Sequence, residues 1–475
     1  MRRVFITALF VTLILSALTG CHPQFQGSLT GRNGNGGGPT PPAGQVQVTS
    51  LSPATVVAGA ASFTLTVNGL NFLPTTTVLW DDNTSLTTTY VSSTVLQAQV
   101  PASLIAKPGT VTIIPSPVVP LNFGTNFTIT APPLTGNNSF SMSMIPVVAN
   151  DIAWDQVSRQ FYLSVASANG TNANTITALN PQTGVFGSSA STGSEPGKLA
   201  ISTDGAYIYA GLNSAGSVHR YTLPALQADI DIPLGSGSYG SYYAIDVETE
   251  PGSSHSVAVS RGVKGISPRE IGGILIYDDA VARLQTIPGA GSGPGPIDSL
   301  VWNPNGQSLY GIDTETGSGL YIMSVSSAGV QLQTHTSAAG YLHFDSTTGY
   351  LYSDAGKVID PATGAVIGNF PLNAIQGGFN GISIMVPDGK LNIAYFLGQT
   401  AYSTGASNYV IAAFDLTHFT FLGAIPIANV SGTPSKMFRW GSNGLAFLTG
   451  DAYGAGATGD GVYLVSGAFV TSPAP

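Results

Sequence analysis

Residues 198–212 read KLAISTDGAYIYAGL and contain the clearest copy of the pattern from which the fold is predicted. A short apolar run is followed by Asp204-Gly205 and then by a second run rich in β-branched and aromatic residues. An Asp-Gly pair between two such runs is a strong signal for a β-hairpin. The stretch therefore predicts two antiparallel strands joined by a tight turn.

The same hairpin pattern recurs along the rest of the chain. The clear copies are DIAWDQVSRQFYLSV (151–165), SLVWNPNGQSLYGID (299–313), YLHFDSTTGYLYSD (341–354), ISIMVPDGKLNIAYFL (382–397) and MFRWGSNGLAFLTG (437–450), with a degenerate one at AIDVETEPGSSHSVAVS (244–260). Further apolar runs after the hairpins, such as TITALN ending at Asn180 and VIAAFD ending at Asp415, predict a third strand and then a fourth. Each unit is thus expected to contain four strands.

Spacing between the copies indicates how the units assemble. Equivalent second-strand positions lie 42 to 53 residues apart, at Tyr162, Tyr209, Ala258, Tyr310, Tyr352, Ala394 and Phe447. A four-stranded unit with a period of about 40–50 residues is typical of a β-propeller blade. Residues 138–475 are therefore predicted to form a seven-bladed β-propeller, and they resemble propellers of the YVTN, NHL and WD-repeat kinds, although no Trp-Asp dipeptide recurs.

The start of this segment predicts how the ring closes. Residues 139–147 have the form of a fourth strand that lacks a blade of its own, and the last copy has a weak fourth strand. We therefore expect residues 139–147 to complete the last blade. Closure of this kind leaves no open sheet edge between the first blade and the last.

Residues 47–131 predict a separate small β-sandwich, because short alternating strands are separated by turn residues. The segment resembles an IPT/TIG domain, an Ig-like fold, in Ser52-Pro53, Gly59, Val67–Phe72 and Val78–Trp80. Gly69 is expected to adopt a positive φ in a turn, and Phe72 and Trp80 are expected to fill the core. The whole fold is thus predicted to be all-β: a small Ig-like β-sandwich plus a seven-bladed β-propeller.

The N-terminal residues predict export and a lipid anchor. Arg2 and Arg3 precede an apolar run, as in a secretory signal peptide, here residues 1–20. Leu18-Thr19-Gly20-Cys21 resembles the bacterial lipobox, which implies lipid attachment at Cys21, the one cysteine of the chain. The alternative is a plain secretory peptide with a chance cysteine. His22 rather than Asp after the cysteine favours the outer membrane or cell surface by the same resemblance, and the Gly/Pro-rich residues 21–46 read as a tether.

Composition narrows the classes of partner. The net charge is −9, or −11 once Arg2 and Arg3 leave with the signal peptide, and charged residues make up only 8% of the chain. An acidic chain without a basic stripe argues against nucleic acid. The expected partners are the membrane, through the anchor, and a polysaccharide, a peptide or a surface protein. The protein is expected to be a monomer and to need no cofactor.

Candidate ligand contacts lie where the first strands of the blades begin. They are Asp151, Lys198, Asp298, Tyr341, His343 and Lys436, which would surround one mouth of the central channel. The alternatives are that these polar groups only solvate the rim and that His343 is a hydrogen-bonded structural residue. The acidic pairs Glu248-x-Glu250 and Asp278-Asp279 lack the ordered pattern of a calcium loop and are interpreted as solvated loops.

Two classes of function remain open. The sequence shows no catalytic motif such as G-x-S-x-G or H-E-x-x-H, which favours a non-catalytic binding or adhesion module at the cell surface. The alternative is a propeller enzyme, such as a lyase, a lactonase-like hydrolase or a quinoprotein-like oxidoreductase, with a site at the channel mouth. A scaffold within an outer-membrane complex is a third possibility.

The lipid anchor is directly testable. Cys21→Ser removes the only thiol that could carry lipid, so the variant should move from the membrane fraction to the soluble fraction of cells. Thr19→Ser keeps a small residue in the lipobox and serves as the matched control. Unchanged membrane fractionation of Cys21→Ser would reject lipidation.

Overall fold

A computed structural model describes residues 46–57, 60–81, 84–105, 109–116, 124–130, 140–267, 269–289, 297–313, 319–337, 340–375, 379, 383–399, 409–450 and 460–471. The predictions of a signal peptide, of lipid at Cys21 and of a tether over residues 21–45 lie outside the described residues, as does Gly59. No helix within these ranges has the length and apolar character needed to cross a membrane.

The first domain is an Ig-like sandwich of eight strands. They are β1 Gln47–Ser52, β2 Thr55–Val57, β3 Phe63–Leu70, β4 Thr77–Trp80, β5 Thr84–Ser92, β6 Val95–Val100, β7 Gly109–Ser116 and β8 Thr125–Thr130, with a 3-10 turn at Ala102–Ile105. The hydrogen-bonded order is β1-β3-β6-β5-β4-β7-β8-β2. The long β5 joins the two layers because it pairs with β4 at its start and with β6 further along.

The core of this domain contains the aromatic residues that the sequence predicts there. Phe72 and Trp80 are only 1% and 4% exposed, and the Trp80 ring lies 5.4 Å from that of Phe127. Gly69 differs from expectation: it is paired within β3, and the positive φ falls on Asn71, at 59°. A Cβ on Gly69 would collide with the Gln47 carbonyl oxygen and the Phe72 ring, so close packing rather than a left-handed turn requires the glycine.

The predicted seven blades are present, each an antiparallel four-stranded sheet. The first propeller strand in chain order, β9 Phe140–Pro146, belongs to blade 7, whose other three strands come last in the chain. Blade 1 contains β10 Ala149–Asp155, β11 Gln160–Val165, β12 Thr175–Asn180 and β13 Val185–Ser191, and blade 2 contains β14 Pro196–Ile201, β15 Tyr207–Leu212, β16 Ser217–Thr222 and β17 Gln227–Pro233. A small hairpin, β18 Ser236–Gly237 and β19 Gly240–Ser241, then leads to blade 3, with β20 Tyr243–Thr249, β21 Ser256–Gly262, β22 Ile271–Asp278 and the short β23 Val281–Ala282.

The remaining blades follow in chain order. Blade 4 contains β24 Ser299–Trp302, β25 Ser308–Asp313, β26 Gly319–Ser326 and β27 Gly329–Thr336. Blade 5 contains β28 Leu342–Phe344, β29 Leu351–Ser353, β30 Lys357–Ile359 and β31 Val366–Asn369. Blade 6 contains β32 Ile384–Asp388, β33 Ile393–Gln399, β34 Tyr409–Asp415 and β35 Phe421–Ile427, and blade 7 adds β36 Thr433–Trp440, β37 Gly444–Gly450 and β38 Gly461–Gly467 to β9. Short 3-10 turns lie at Ser167–Asn169 and Leu372–Ala374, and the four-residue helix α1 spans Ala468–Thr471.

Turn chemistry explains most of the hairpins. Gly205 and Gly306 adopt φ values of 68° and 71° in the turns of blades 2 and 4, as expected for Asp-Gly and Asn-Gly pairs. In blades 6 and 7 the first strands run further than expected, and the positive φ falls on Asn392 (58°) and Gly441 (57°) instead. The turns there lie at 389–392 and 441–443.

Neighbouring blades pack through the repeated second-strand residue. Tyr162, Tyr209, Tyr310 and Tyr352 are almost completely buried, and each lies in a core cluster shared with the following blade. A large aromatic ring at this position excludes water from the junction between two sheets. This packing is the physical reason why tyrosine marks the repeat in the sequence.

Ring closure occurs where the sequence predicts it. Strand β9 pairs with β38 through seven residue pairs, from Phe140 opposite Gly467 to Pro146 opposite Gly461, and so completes blade 7. The first strands of successive blades are adjacent, including β36 and β10, so they surround a common axis. Helix α1 adds the buried residues Phe469 and Val470 to the core of blades 6 and 7.

Deletion of residues 140–146 should open the ring. The edge of β38 would lose seven paired residues, and at about 1 kcal/mol per hydrogen bond the loss should exceed about 3 kcal/mol. We expect a lower thermal midpoint and aggregation through the exposed edge, measured by calorimetry and light scattering. Deletion of residues 30–36 from the predicted tether is the matched control, and equal stability of the two deletions would refute closure by β9.

Candidate functional site

The first strands of the blades begin together at one end of the ring, which we call the entrance mouth. Four of these strands have a register shift close to their start, at Ala149/Asp151, Pro196/Leu199, Ala244/Asp246 and Pro434/Lys436. A β-bulge of this kind changes the direction of a side chain and is common beside functional sites. Here the bulges bring charged side chains of four adjacent blades together.

The charges of these side chains alternate between positive and negative from blade 7 through blades 1, 2 and 3. We call Lys436, Asp151, Lys198 and Asp246 the charge arc. Lys436 Nζ lies 2.9 Å and 3.2 Å from the two carboxylate oxygens of Asp151. Lys198 in turn interacts electrostatically with both Asp151 and Asp246. Alternation means that each buried charge has an opposite neighbour, which offsets the cost of removing it from water.

The ionisation of Asp151 and Lys198 follows from this arrangement. Burial opposes the charged form of Asp151, but Lys436 and Lys198 together hold the pKa of this carboxyl below its ordinary value. Burial likewise opposes the charged form of Lys198, yet the carboxylates of Asp151 and Asp246 raise the pKa of its ammonium above the usual range. Both residues are therefore charged at neutral pH.

Asp246, at the blade 3 end of the charge arc, has a raised pKa, whereas that of Asp151 is lowered. Burial raises the pKa of Asp246, and the attraction of Lys198 and Lys436 only partly opposes this effect. Two residues further along β20, burial, reinforced by the negative charge of Asp246, raises the pKa of Glu248 to about 8. The first strand of blade 3 thus contains, near its far end, a carboxyl group that titrates close to neutral pH, which is a property of many functional sites.

Buried carboxylates also join the blades in pairs. The backbone N–H of Leu199 donates to Asp151 Oδ2 (2.9 Å), linking blades 1 and 2, and that of Leu300 donates to Asp246 Oδ2 (2.7 Å), linking blades 3 and 4. The N–H of Met385 donates to Asp354 Oδ1 (2.9 Å), linking blades 5 and 6. The charge arc is therefore part of the framework that supports the entrance mouth.

The six predicted contact residues fall into two groups. Lys198, Asp298 and Tyr341 line a cavity of about 280 Å³ at the entrance mouth, together with Asn150, Asn213, Tyr243 and Arg269. Asp298 faces Arg269 at 3.3 Å, and Tyr341 is 43% exposed. Asp151 and Lys436 lie in the charge arc, and His343 Nε2 lies 2.8 Å from Asp354 Oδ1. Asp151, Lys436 and His343 do not line the cavity.

The sequence patterns did not indicate Asp246 or Asp354, and they placed Glu248 in a loop. Asp246 occupies in the degenerate copy the position that Asp151 occupies in blade 1, so alignment of AIDVETE with ANDIAWD could have found it. The interpretation as a solvated loop is wrong for Glu248-x-Glu250: Glu248 lies within β20, and Glu250 pairs with Arg283 at 2.5 Å. Asp278, the last residue of β22, and Asp279, in the turn after it, are exposed, as expected. Asp278 also pairs with Arg283, and Asp279 pairs with Arg220 at 2.6 Å.

A second and larger cavity, of about 690 Å³, lies at the opposite end of the ring. It is lined by the turns that join the first and second strands of blades 1, 5, 6 and 7, so we call this end the turn mouth. The sequence analysis did not predict it. Across the described part of the chain, no three His, Cys, Asp or Glu side chains are placed to hold a metal ion.

Two of three comparisons with known proteins found matches. Residues 47–129 match the family model described as the IPT/TIG domain. Similar solved structures include U3-55K (10% identity, 68% of this chain and 98% of that chain, TM-score 0.46) and the β-propeller domain of Myceliophteria thermophila Cps50 (Swd1) (12%, 69% and 100%, 0.49). The RRP9 WD40 repeats are a third (10%, 68% and 97%, 0.47), and no curated protein matches the chain significantly.

The chain is thus a seven-bladed β-propeller preceded by a TIG, Ig-like domain. The blade count rests on the strand pairing in the protein itself. Domains of these two kinds suggest a module for interaction with other molecules.

Glu248 provides a test of the electrostatics along the first strand of blade 3. Its pKa is about 8 in the folded protein and near 4.5 in an ordinary setting, so its contribution to stability is complete below pH 4.5 and is lost as the pH rises through 8. Glu248→Gln mimics the protonated form. Between pH 5 and pH 9 the wild type should therefore lose about 4 kcal/mol relative to the variant, because pH 5 lies about three units below the folded pKa and each unit corresponds to about 1.4 kcal/mol.

Thermal unfolding of both proteins at pH 5, 7 and 9 measures this difference. Glu250→Gln is the matched control, because it leaves Glu248 free to titrate and should retain the loss seen in the wild type. Equal losses in the wild type and in Glu248→Gln would contradict the raised pKa.

Proposed function

We propose that the protein is an exported, lipid-anchored surface protein whose propeller is a non-catalytic binding module. The proposed anchor is Cys21, in the lipobox-like Leu18-Thr19-Gly20-Cys21, with residues 21–46 as tether. The proposal assigns the protein to the outer membrane or cell surface. The propeller then acts on molecules outside the cell, and the TIG domain separates it from the membrane or contributes contacts of its own.

The observation that carries this proposal is the entrance cavity. Five consecutive blades each contribute a polar group to it: Asn150, Lys198, Tyr243, Asp298 and Tyr341. A ring held by buried aromatic residues and carboxylates keeps these groups in fixed positions, which reduces the entropy lost on binding. Amides, phenols and charges of both signs suit a polar ligand such as a polysaccharide, a peptide or a surface protein. Lys198, Asp298 and Tyr341 are the proposed contacts. Asp151, His343 and Lys436 do not line the cavity and instead form ion pairs or hydrogen bonds that stabilise the strands around it.

One observation favours the alternative of a propeller enzyme. The pKa of Glu248, at about 8, lies in the range useful for a general acid or base, and Lys198 is close to it. A lyase or a lactonase-like hydrolase would use such a group. The fold does not decide between binding and turnover, because one architecture supports both.

A binding screen with a matched pair of tyrosine variants tests the proposal. Tyr341 and Tyr350 both belong to blade 5 and are 43% and 38% exposed, but only Tyr341 lines the entrance cavity. The full-length protein in detergent is screened against arrays of glycans and peptides. Tyr341→Ala should lower the affinity for the tightest-binding ligand about tenfold, the typical effect of removing an aromatic anchor. Tyr350→Ala should leave this affinity unchanged.

Two results would contradict the proposal. Equal effects of the two tyrosine variants would show that the ligand does not use the entrance cavity. Conversion of a ligand to product, abolished by Glu248→Gln, would establish the enzyme instead.

A further inference from the structure

The turn mouth contains a cavity that differs in character from the entrance cavity. Its walls are the turns of four consecutive blades, at residues 345–350, 389–392, 441–443 and 156–159, in the order of blades 5, 6, 7 and 1. Its volume of about 690 Å³ is within the range of about 300–1,000 Å³ that is common for small-molecule sites. It is more than twice the size of the entrance cavity.

The acidic groups of this cavity are already satisfied by the protein. Asp345 accepts hydrogen bonds from the backbone N–H groups of Thr347 (3.0 Å), Thr348 (2.8 Å) and Gly389 (2.8 Å). Asp388 accepts from Arg439 Nε at 2.8 Å and from the N–H of Leu391 at 3.1 Å. These carboxylates hold the turns together and have little capacity left for a ligand.

The guanidinium of Arg439 also has its hydrogen bonds within the protein. Besides its pair with Asp388, its Nη1 donates to the Gly444 carbonyl oxygen at 2.7 Å and its Nη2 to that of Ser442 at 3.4 Å. Its guanidinium also lies over the Tyr395 ring, 5.6 Å from the centroid. Arg439 therefore fixes the turn of blade 7 against blade 6 and is not the main ligand contact.

Two cations remain available. Arg159, in the turn of blade 1, and Lys390, in the turn of blade 6, both line the cavity and are exposed. Neither side chain forms an ion pair or hydrogen bond with another residue in the described ranges. The cavity lining contains three cations, Arg159, Lys390 and Arg439, and two carboxylates, Asp345 and Asp388, so its formal charge is +1. This is unusual in a chain whose net charge is −9.

The uncharged lining points to the kind of anion. The half-buried indole of Trp154, whose ring lies 4.7 Å from that of Phe161, offers an apolar face beside the amides of Gln156 and Gln182. A flat aromatic surface among amide and hydroxyl groups matches a sugar ring, which has C–H faces and hydroxyl groups at its edge. Peptide binding by strand addition needs a free strand edge, and this cavity is lined by turns instead.

We propose that the turn mouth binds an acidic saccharide, whose carboxylate groups are held by Arg159 and Lys390 while a sugar ring lies against Trp154. The site is independent of the entrance cavity and uses different residues. It does not require the lipid anchor or the entrance ligand to be as proposed above.

Isothermal titration calorimetry of the full-length protein tests this site. The probe is a tetrasaccharide of galacturonic acid, and the neutral comparison is the tetrasaccharide of galactose with the same linkage. Hexaglutamate serves as the acidic peptide. The acidic saccharide should bind measurably, the neutral one at least tenfold more weakly, and hexaglutamate not at all; added salt should weaken the acidic complex.

Charge-removing variants locate the binding. Arg159→Gln and Lys390→Gln should each weaken the acidic saccharide about tenfold, the value of one charge-assisted hydrogen bond. Lys264→Gln removes an exposed cation of blade 3 away from the cavity, and Tyr341→Ala alters the entrance cavity; both should leave this affinity unchanged. Equal thermal midpoints verify that the variants are folded.

Each other result overturns the proposal. No binding of the acidic saccharide, or equal binding of the neutral one, would show that the cavity does not select acidic sugars. Binding of hexaglutamate alone would identify an acidic peptide as the ligand class. If the affinity depends on Tyr341 but not on Arg159 or Lys390, the saccharide binds in the entrance cavity. That result would support the proposed function and refute the saccharide site at the turn mouth.

Discussion

The pairing of β9 with β38 is the constraint on which the rest of the propeller depends. It joins residues more than 300 positions apart, so the entropy of closing this long loop must be offset by contacts that exist only in the complete ring. Both mouths require that ring: the entrance cavity uses residues from blades 1 to 5, and the larger cavity includes the turns of blades 7 and 1 on either side of the closure. The contact between Lys436 and Asp151 crosses the same boundary.

Contacts between blades combine two kinds of interaction. Buried tyrosines such as Tyr209 exclude water from the interior of each junction, and carboxylates such as Asp246 accept a backbone N–H at the inner strand. The first kind is non-directional and tolerates substitution by Ala or Phe, as Ala258 and Phe447 illustrate. The second depends on one oxygen and one N–H, so it sets the relative position of two strands. Together they explain how a ring without disulfides supports polar cavities at both ends.

Local patterns in the sequence were sufficient for the all-β architecture, for seven blades and for the closing strand. Hairpins, turns and the tyrosine of each second strand are short-range features, and each recurs often enough to be recognised. Gly69 was misread because the collision that requires a glycine involves Gln47, which is remote in sequence. The site was predicted only in outline. Lys198, Asp298 and Tyr341 do share a cavity, but the turn-mouth cavity depends on which turns become neighbours when the ring closes, and no single repeat contains that information.

The carboxylate hydrogen bonds at Asp151, Asp246 and Asp354 have a consequence for how the ring comes apart. They join blades 1 with 2, 3 with 4 and 5 with 6. Blade 7 is joined to its neighbours by side-chain ion pairs instead, Arg439 with Asp388 of blade 6 and Lys436 with Asp151 of blade 1. Blade 7 is also the blade built from two distant parts of the chain. Under mechanical load or partial denaturation, we expect this composite blade to separate first, because only its strands come from both ends of the propeller segment. Repetition in the sequence thus need not mean equal stability of the blades.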